Sequence, residues 1–431
     1  MKLNRETYKR GAITSSTLSV ISKLLAFVMQ LLVSFYYGAN VGTDLFFYLY
    51  GIAILLGGMV QSINSSILVP QAMHLRNEQS AQSEMKFHNT FLVFFSGISL
   101  IVLSVLFLLV ESGIGNCWFI NVEEEIIQQH IITYRLFYLL AFLLIVNLYL
   151  SEILVSYRFF TFGLMCNFSM NLCAVLALLL FASHTDIFLL MISSCVACSF
   201  FLLAIIWFMR KKLFWNFCLY DISWISIYRK RIVGFAINQL VVIAASVFPM
   251  YLLADIQPGL VTLVNYAQKL VLAPLSWIQQ IAAVLLVRLN NLTSAEYIQK
   301  SQRLVLKTAF GLFAFTLLTS GLTFVLRNFI AENIYGLGKI SLEFIPLLSY
   351  LIGVMTMAMP FVAISYCFNK KYFSEQRIKH YVYIMLVANI LSCVAYYFFV
   401  PLFQQVGYVW VYVLTEIFMC ACVVICAKLR F

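Results

Sequence analysis

Residues 210–231 read RKKLFWNFCLYDISWISIYRKR, and six of these 22 residues are Lys or Arg. A mostly apolar run lies on either side, near 186–208 before the block and 232–254 after it. Each run can cross the ~30 Å hydrocarbon core of a bilayer, which takes about 20 helical residues. A basic block between two such runs marks the cytoplasmic face, because Lys and Arg accumulate on that side of inserted chains.

Working outward, further apolar runs fall near 12–37, 44–73, 89–111, 126–156, 160–182, 260–287, 304–326, 342–367, 380–401 and 407–427. The pattern predicts an all-α polytopic membrane protein with about twelve transmembrane helices. Of the 28 Lys and Arg, 23 fall in the gaps on the side of residues 210–231, whereas only Arg327 and Lys339 fall in the opposite loops. The opposite loops hold nine of the 17 acids. Both termini are therefore predicted to be cytoplasmic, and the net charge of +11 reads as topology rather than nucleic-acid binding. A hydrophobic content of 63% with 10% charged residues leaves no room for a soluble domain. The first run is longer than a signal-peptide core and lacks a small-residue cleavage pattern, so it is expected to stay attached as a helix.

The basic block divides the chain into an N-terminal six-helix lobe at 1–209, a cytoplasmic linker at 210–231 and a C-terminal six-helix lobe at 232–431. Each half opens alike, with Tyr8-Lys9-Arg10 before the first run and Tyr228-Arg229-Lys230-Arg231 before the seventh. Each second run ends near a basic residue, Arg76 in one half and Arg288 in the other. A parallel six-plus-six repeat is a transporter pattern that places a substrate cavity between the halves. The longest outer loops, about 112–125 and 328–341, are too short for an enzyme that works on sugars outside the membrane. No nucleotide-binding, zinc-protease or serine-hydrolase motif is present, so no catalytic residue or bound cofactor is expected. Cys117 is the one cysteine on the outer side and has no disulfide partner there, and Cys195 with Cys198 reads as small-residue helix packing.

Ionisable groups deep in a bilayer are functional leads. Lys23 lies thirteen residues beyond Arg10, and Lys269 fourteen beyond Asp255, which puts each ~20 Å along its span and near the midplane. One cation per lobe at that depth suits an anionic group such as a diphosphate; the plainer reading pairs each with a carbonyl or neighbouring Asn. Arg135 either faces an outer vestibule or snorkels toward Glu123–Glu125. Glu152 is expected to pair with Arg158 near the cytoplasmic interface. Asn389, Thr415 and Glu416 supply the oxygens a small coupling cation prefers, or else form a satisfied polar interface. Asn64, Asn265 and Gln268, with Asn171, Gln279 and Gln280, either read sugar hydroxyls or join helices. Pro70, Pro249, Pro274 and Pro360 are expected to bend their helices.

Several short motifs resemble a known family. The chain reads Ser22-Lys23-Leu24-Leu25-Ala26-Phe27, then Tyr37-Gly38-Ala39, Thr43-Asp44-Leu45-Phe46-Phe47 and Val69-Pro70. Later come Arg158-Phe159, Asn171, and Tyr266-Ala267-Gln268-Lys269-Leu270 with Leu272-Ala273-Pro274-Leu275 and Arg288-Leu289. This resembles the MurJ and Wzx-type flippases of the multidrug/oligosaccharidyl-lipid/polysaccharide exporter (MOP) superfamily. The resemblance implies two six-helix bundles around a V-shaped central cavity that alternately faces each side of a bacterial inner membrane. It also implies passage of an undecaprenyl-diphosphate-linked oligosaccharide, with Lys23 and Lys269 at the diphosphate and Asn389 and Thr415 at a sodium site. The expected partners are that glycan, membrane lipids and polysaccharide polymerase or assembly proteins, with Na+ or H+ as coupling ion. Met29 and Gly51 stand where the lipid II flippases usually carry arginines, Cys393 stands where an acid of the sodium site is expected, and two further C-terminal helices are absent. These departures shift the expected substrate from lipid II to an O-antigen or capsule repeat unit. A cation-coupled drug or metabolite antiporter of the same superfamily is the alternative, and a polytopic enzyme ranks third.

Overall fold

Inside a bilayer no water satisfies peptide groups, so each apolar run must close its own hydrogen bonds as a helix. The structure, a computed structural model, describes residues 8–112, 128–183, 185–290, 294–375 and 377–428. The predicted outer-loop residues Cys117 and Glu123–Glu125 lie outside the described residues.

The helices are α1 (Tyr8–Tyr36), α2 (Val41–Ile63), α3 (Val69–Glu78), α4 (Ala81–Glu111), α5 (Ile131–Ser156), α6 (Phe162–Phe181) and α7 (Phe188–Lys212). They continue as α8 (Ser223–Ala254), α9 (Leu260–Asn290), α10 (Ser294–Ile330), α11 (Phe344–Thr356), α12 (Met359–Ser374) and α13 (Ile378–Lys428). A π-helical turn at Asn64–Leu68 joins α2 to α3, and a second at Ala331–Tyr335 ends α10.

Among the described residues, eleven helical stretches are long and apolar enough to cross a membrane. The last, Lys379–Ala427, has 49 residues and a length of about 74 Å, more than twice the ~30 Å hydrocarbon thickness. It is broken at Gln404, whose φ of 51° and ψ of −133° are not helical, three residues after Pro401. The chain is thus a multi-pass membrane protein, and counting the two pieces of α13 separately brings the spans to the expected twelve. Pro70 opens α3 after the π turn and Pro360 opens α12, so both stand where a span is interrupted. Pro249 and Pro274 lie inside continuous α8 and α9.

Three boundaries differ from expectation. Helices expected from 89, 232 and 304 begin at Ala81, Ser223 and Ser294. Hydropathy stops where the bilayer stops, whereas the backbone ladder continues about two turns into the polar segment, leaving a connector of only 213–222 between α7 and α8.

The chain forms two compact units. One holds α1 as far as Leu32 together with Val41–Ile243; the other holds Val33–Asn40 together with the chain from Ala244 onward. In the first, α5 packs against α2, α4, α6 and α7. Close approach to α2 is possible because Gly57 has no side chain; a Cβ there would meet Leu148 at 2.9 Å and Leu144 at 3.2 Å. In the second unit α12 packs against α9, α10 and α13, while α11 packs against α9, α10 and α13. Among the described residues, the most apolar part of the fourth span is 67% buried and that of the tenth, formed by α11 and α12, is 72% buried, against 50% or less in the others. The fourth and tenth stretches are therefore the most enclosed among the described residues.

Candidate functional site

In the first unit, α1 meets α6 at Ser22. The Asn171 amide donates to the Ser22 carbonyl at 3.2 Å and lies 3.3 Å from its hydroxyl, so Asn171 joins helices. The next residue, Lys23, is turned about 100° away. Its side chain is exposed, and among the described residues no hydrogen bond or ion pair reaches the ammonium group. Two positions expected to carry cavity arginines differ from each other. Met29 is 4% exposed, in the core, whereas a side chain at Gly51 would enter open space.

The π turn after α2 places Asn64 at 0% exposure, where its amide donates to the Tyr149 carbonyl of α5 at 2.8 Å. Asn64 thus fastens α2 to α5 and is buried in this arrangement. One turn earlier, Gln61 donates to the Glu152 carboxylate at 2.6 Å across the same interface. Arg135 is held in a bidentate pair by Glu111, with Nε 2.8 Å from Oε1 and Nη2 3.0 Å from Oε2. This partner is on α4.

In the second unit, Asn265, Gln268 and Lys269 share one face of α9 because they are three and four positions apart. Gln268 donates to the Tyr408 hydroxyl at 2.9 Å, Asn265 bonds back to the Val261 carbonyl at 2.9 Å, and Lys269 is half-buried. Further along α9, Gln279 donates to the Tyr366 hydroxyl at 2.8 Å. Tyr366, Tyr381, Tyr396 and Tyr412 stand within electrostatic reach of the Glu416 carboxyl. Among the described residues no hydrogen bond or ion pair engages Glu416. The neighbouring Thr415 instead lines an apolar groove with Ala388, Trp410 and Phe418. The Asn389 amide nitrogen is buried with no hydrogen-bond partner among the described residues. Glu416 is thus brought among phenols, and Thr415 is directed elsewhere.

Sequence reasoning missed the polar clasp on the connector between α7 and α8. The Asn89 amide donates to the carbonyls of Asn216 at 2.7 Å and Leu219 at 2.8 Å, and its oxygen accepts from the Trp215 indole at 2.8 Å. The Asp221 N–H donates to the Thr90 hydroxyl at 2.8 Å. Phe87 packs edge-on against Trp224 and Tyr228. Below it, Tyr157 donates to Glu84 at 2.6 Å and lies under Arg76, whose guanidinium is 4.5 Å from the ring centroid. Burial, then the Glu84 charge, push the Tyr157 hydroxyl above its ordinary range. The one signal in the sequence was the polar group His88-Asn89-Thr90 at the head of an apolar run.

No protein-family profile and no curated protein matches the chain. Solved structures do match its fold. The lipid II flippase MurJ in an inward closed conformation aligns with a TM-score of 0.80 at 17% identity, covering 96% of this chain and 87% of that one. An inward-facing multidrug resistance MATE family transporter of the MOP superfamily aligns with a TM-score of 0.75 at 11% identity, covering 97% and 98%. A MATE structure in the straight conformation gives 0.68 at 11% identity, covering 99% and 96%. At these identities the likeness establishes a shared fold.

Proposed function

We propose that this chain is a MOP-superfamily flippase that moves an undecaprenyl-diphosphate-linked oligosaccharide, an O-antigen or capsule repeat unit, outward across a bacterial inner membrane by alternating access. The observation that carries this reading is Lys23, a cation on an exposed face midway along a membrane helix with no hydrogen bond or ion pair among the described residues. A lone charge at that depth is costly unless an anion or water meets it, and a diphosphate supplies several charge-assisted acceptors. The match to a lipid II flippase over 96% of the chain supports the same reading.

In this mechanism Lys23 and Lys269 hold the diphosphate, Gln268 and Asn265 meet the sugar, and the prenyl tail stays in the bilayer. Rocking of the two six-helix groups carries the headgroup across. The charge pattern supports a cytoplasmic location of both termini. Met29 in the core leaves no place for one of the arginines expected of a lipid II flippase, which favours a different glycan. We assign a coupling cation, Na+ or H+, to Glu416.

Lys23→Ala and Lys269→Ala should each abolish surface-glycan export while leaving membrane insertion and thermal stability intact. Normal export by both variants would remove the assigned roles. The second reading, a cation-coupled antiporter, is favoured by the MATE likeness and by the carboxyl of Glu416 among four tyrosines. It predicts drug or metabolite efflux and unchanged lipid-linked glycan pools.

A further inference from the structure

Three stretches of the first unit converge on one cavity of about 560 Å³, whose walls include Ser65, Arg76, Asn77, Glu152, Tyr157 and Arg158 beside apolar side chains. Ser65 lies in the π turn Asn64–Leu68, a distortion that often accompanies functional sites. Arg76 follows on α3, which Pro70 opens. Arg158 follows α5 in the left-handed region at φ 67°, a conformation unfavourable for a side chain other than Gly, Asn or Asp.

The cavity's volume is typical of small-molecule sites, and its walls mix polar groups with apolar ones. Arg76 is fixed from behind. Its Nη1 is 3.4 Å from Glu84 Oε1, and the guanidinium stacks on the Tyr157 ring, which is itself tied to Glu84 at 2.6 Å. Glu152 is fixed by Gln61 at 2.6 Å. The lining thus offers two guanidinium groups, the forks that suit phosphate oxygens. It also offers a carboxylate, a hydroxyl, an amide and aromatic rings, the groups that engage sugar hydroxyls and ring faces. Glu152 would repel a bare phosphate placed beside it, so the lining suits a ligand that carries both an anionic group and hydroxyls.

We propose that this cavity binds a phosphosugar, with Arg76 and Arg158 on the phosphate and Glu152, Ser65 and Asn77 on the sugar. This rests on the flippase reading: the cavity, on the basic face of the first unit, receives the diphosphate-sugar headgroup before it reaches Lys23.

The test uses the full chain in lipid nanodiscs and follows its unfolding temperature with glucose 1-phosphate, galactose 1-phosphate and N-acetylglucosamine 1-phosphate. At least one should protect saturably, whereas inorganic phosphate and the free sugars should not. Arg158→Asn removes the charge with a residue tolerated at positive φ, and Ser65→Gln fills the cavity; each should raise the half-saturating concentration about tenfold or more. Undecaprenyl-diphosphate-linked glycan should compete with the soluble phosphosugar. Absence of saturable protection, equal protection by phosphate alone, or protection that survives both substitutions overturns the proposal. Failure of the lipid-linked glycan to compete would reassign the site to a free sugar phosphate and overturn its role as headgroup receiver. Export that depends on Lys23 and Lys269 in a chain that no phosphosugar protects would leave the flippase reading standing while this site falls.

Discussion

The Tyr266 hydroxyl donates to the Gly38 carbonyl at 3.2 Å, across 228 positions of sequence. Both residues belong to the unit that holds Val33–Asn40, and they come from two of the stretches that carry the family resemblance. Gly38 has a φ of 73°, and a Cβ there would collide with the Lys339 carbonyl. The Ser34 hydroxyl donates to the Tyr335 carbonyl at 3.0 Å, and the Tyr335 ring stacks on Tyr266 with centroids 5.0 Å apart. The end of α1 is thus bound by side chains and backbone together. Gly38→Ala should cost at least about 1–2 kcal/mol from the left-handed backbone alone, with the collision added. Tyr266→Phe should cost about 1 kcal/mol. Denaturation of the detergent-solubilised protein measures both, and an unchanged Gly38→Ala would refute this packing.

Asn89 uses both ends of its amide to hold the connector, so Asn89→Ala strands the Trp215 N–H and two carbonyls at once. The expected loss is about 2–4 kcal/mol. Limited proteolysis should then cut within 213–222, whereas Phe214→Ala, at a 75% exposed side chain, should leave the connector protected. Equal cutting of the two variants would mean that Asn89 does not hold this segment.

The Asp221 carboxyl is kept below the usual carboxylate range, chiefly by the Ser223 hydroxyl at 2.7 Å and then by the Ser223 N–H at 3.0 Å. A carboxylate lowered in the folded state contributes fully above its unfolded pKa and loses that contribution as pH falls through the lowered value. Exchange of the Ser223 amide should therefore accelerate on acidification through that range, and Asp221→Ala should show fast exchange at neutral pH. A rate that parallels intrinsic exchange at every pH would show that the carboxylate does not cap α8.

Glu416→Gln keeps the volume of a side chain that stands within electrostatic reach of Tyr366, Tyr381, Tyr396 and Tyr412. If Glu416 carries the coupling cation, the variant should fold with stability within about 1 kcal/mol of the parent, yet transport should slow and lose its response to a Na+ or H+ gradient. Transport measured in proteoliposomes under imposed gradients decides the matter; a gradient response equal to the parent's would remove Glu416 from coupling.

The spans were legible because bilayer thickness dictates run length, and the alternation of charge orders them. Their basic ends were not, since α4, α8 and α10 run past the apolar code into segments such as Ser223–Arg231, where hydrogen bonding alone continues the helix. Lys23 and Lys269 could be named from depth. Their surroundings could not, because facing requires the rotation of each helix: Ser22 turns inward to Asn171 and Lys23 outward. Asn64 had two readings on composition, and only its burial against Tyr149 separates them. The clasp at Asn89 depends on a contact 126 to 130 positions away, which no local pattern announces.

The most direct test of the central claim is to remove the gene from its native host and assign the membrane face of the polyprenyl-linked oligosaccharides with an impermeant labelling reagent. The flippase account predicts accumulation on the cytoplasmic face with loss of surface glycan, restored by the parent chain but not by Lys23→Ala or Lys269→Ala. Lipid-linked pools unchanged in amount and sidedness would contradict it.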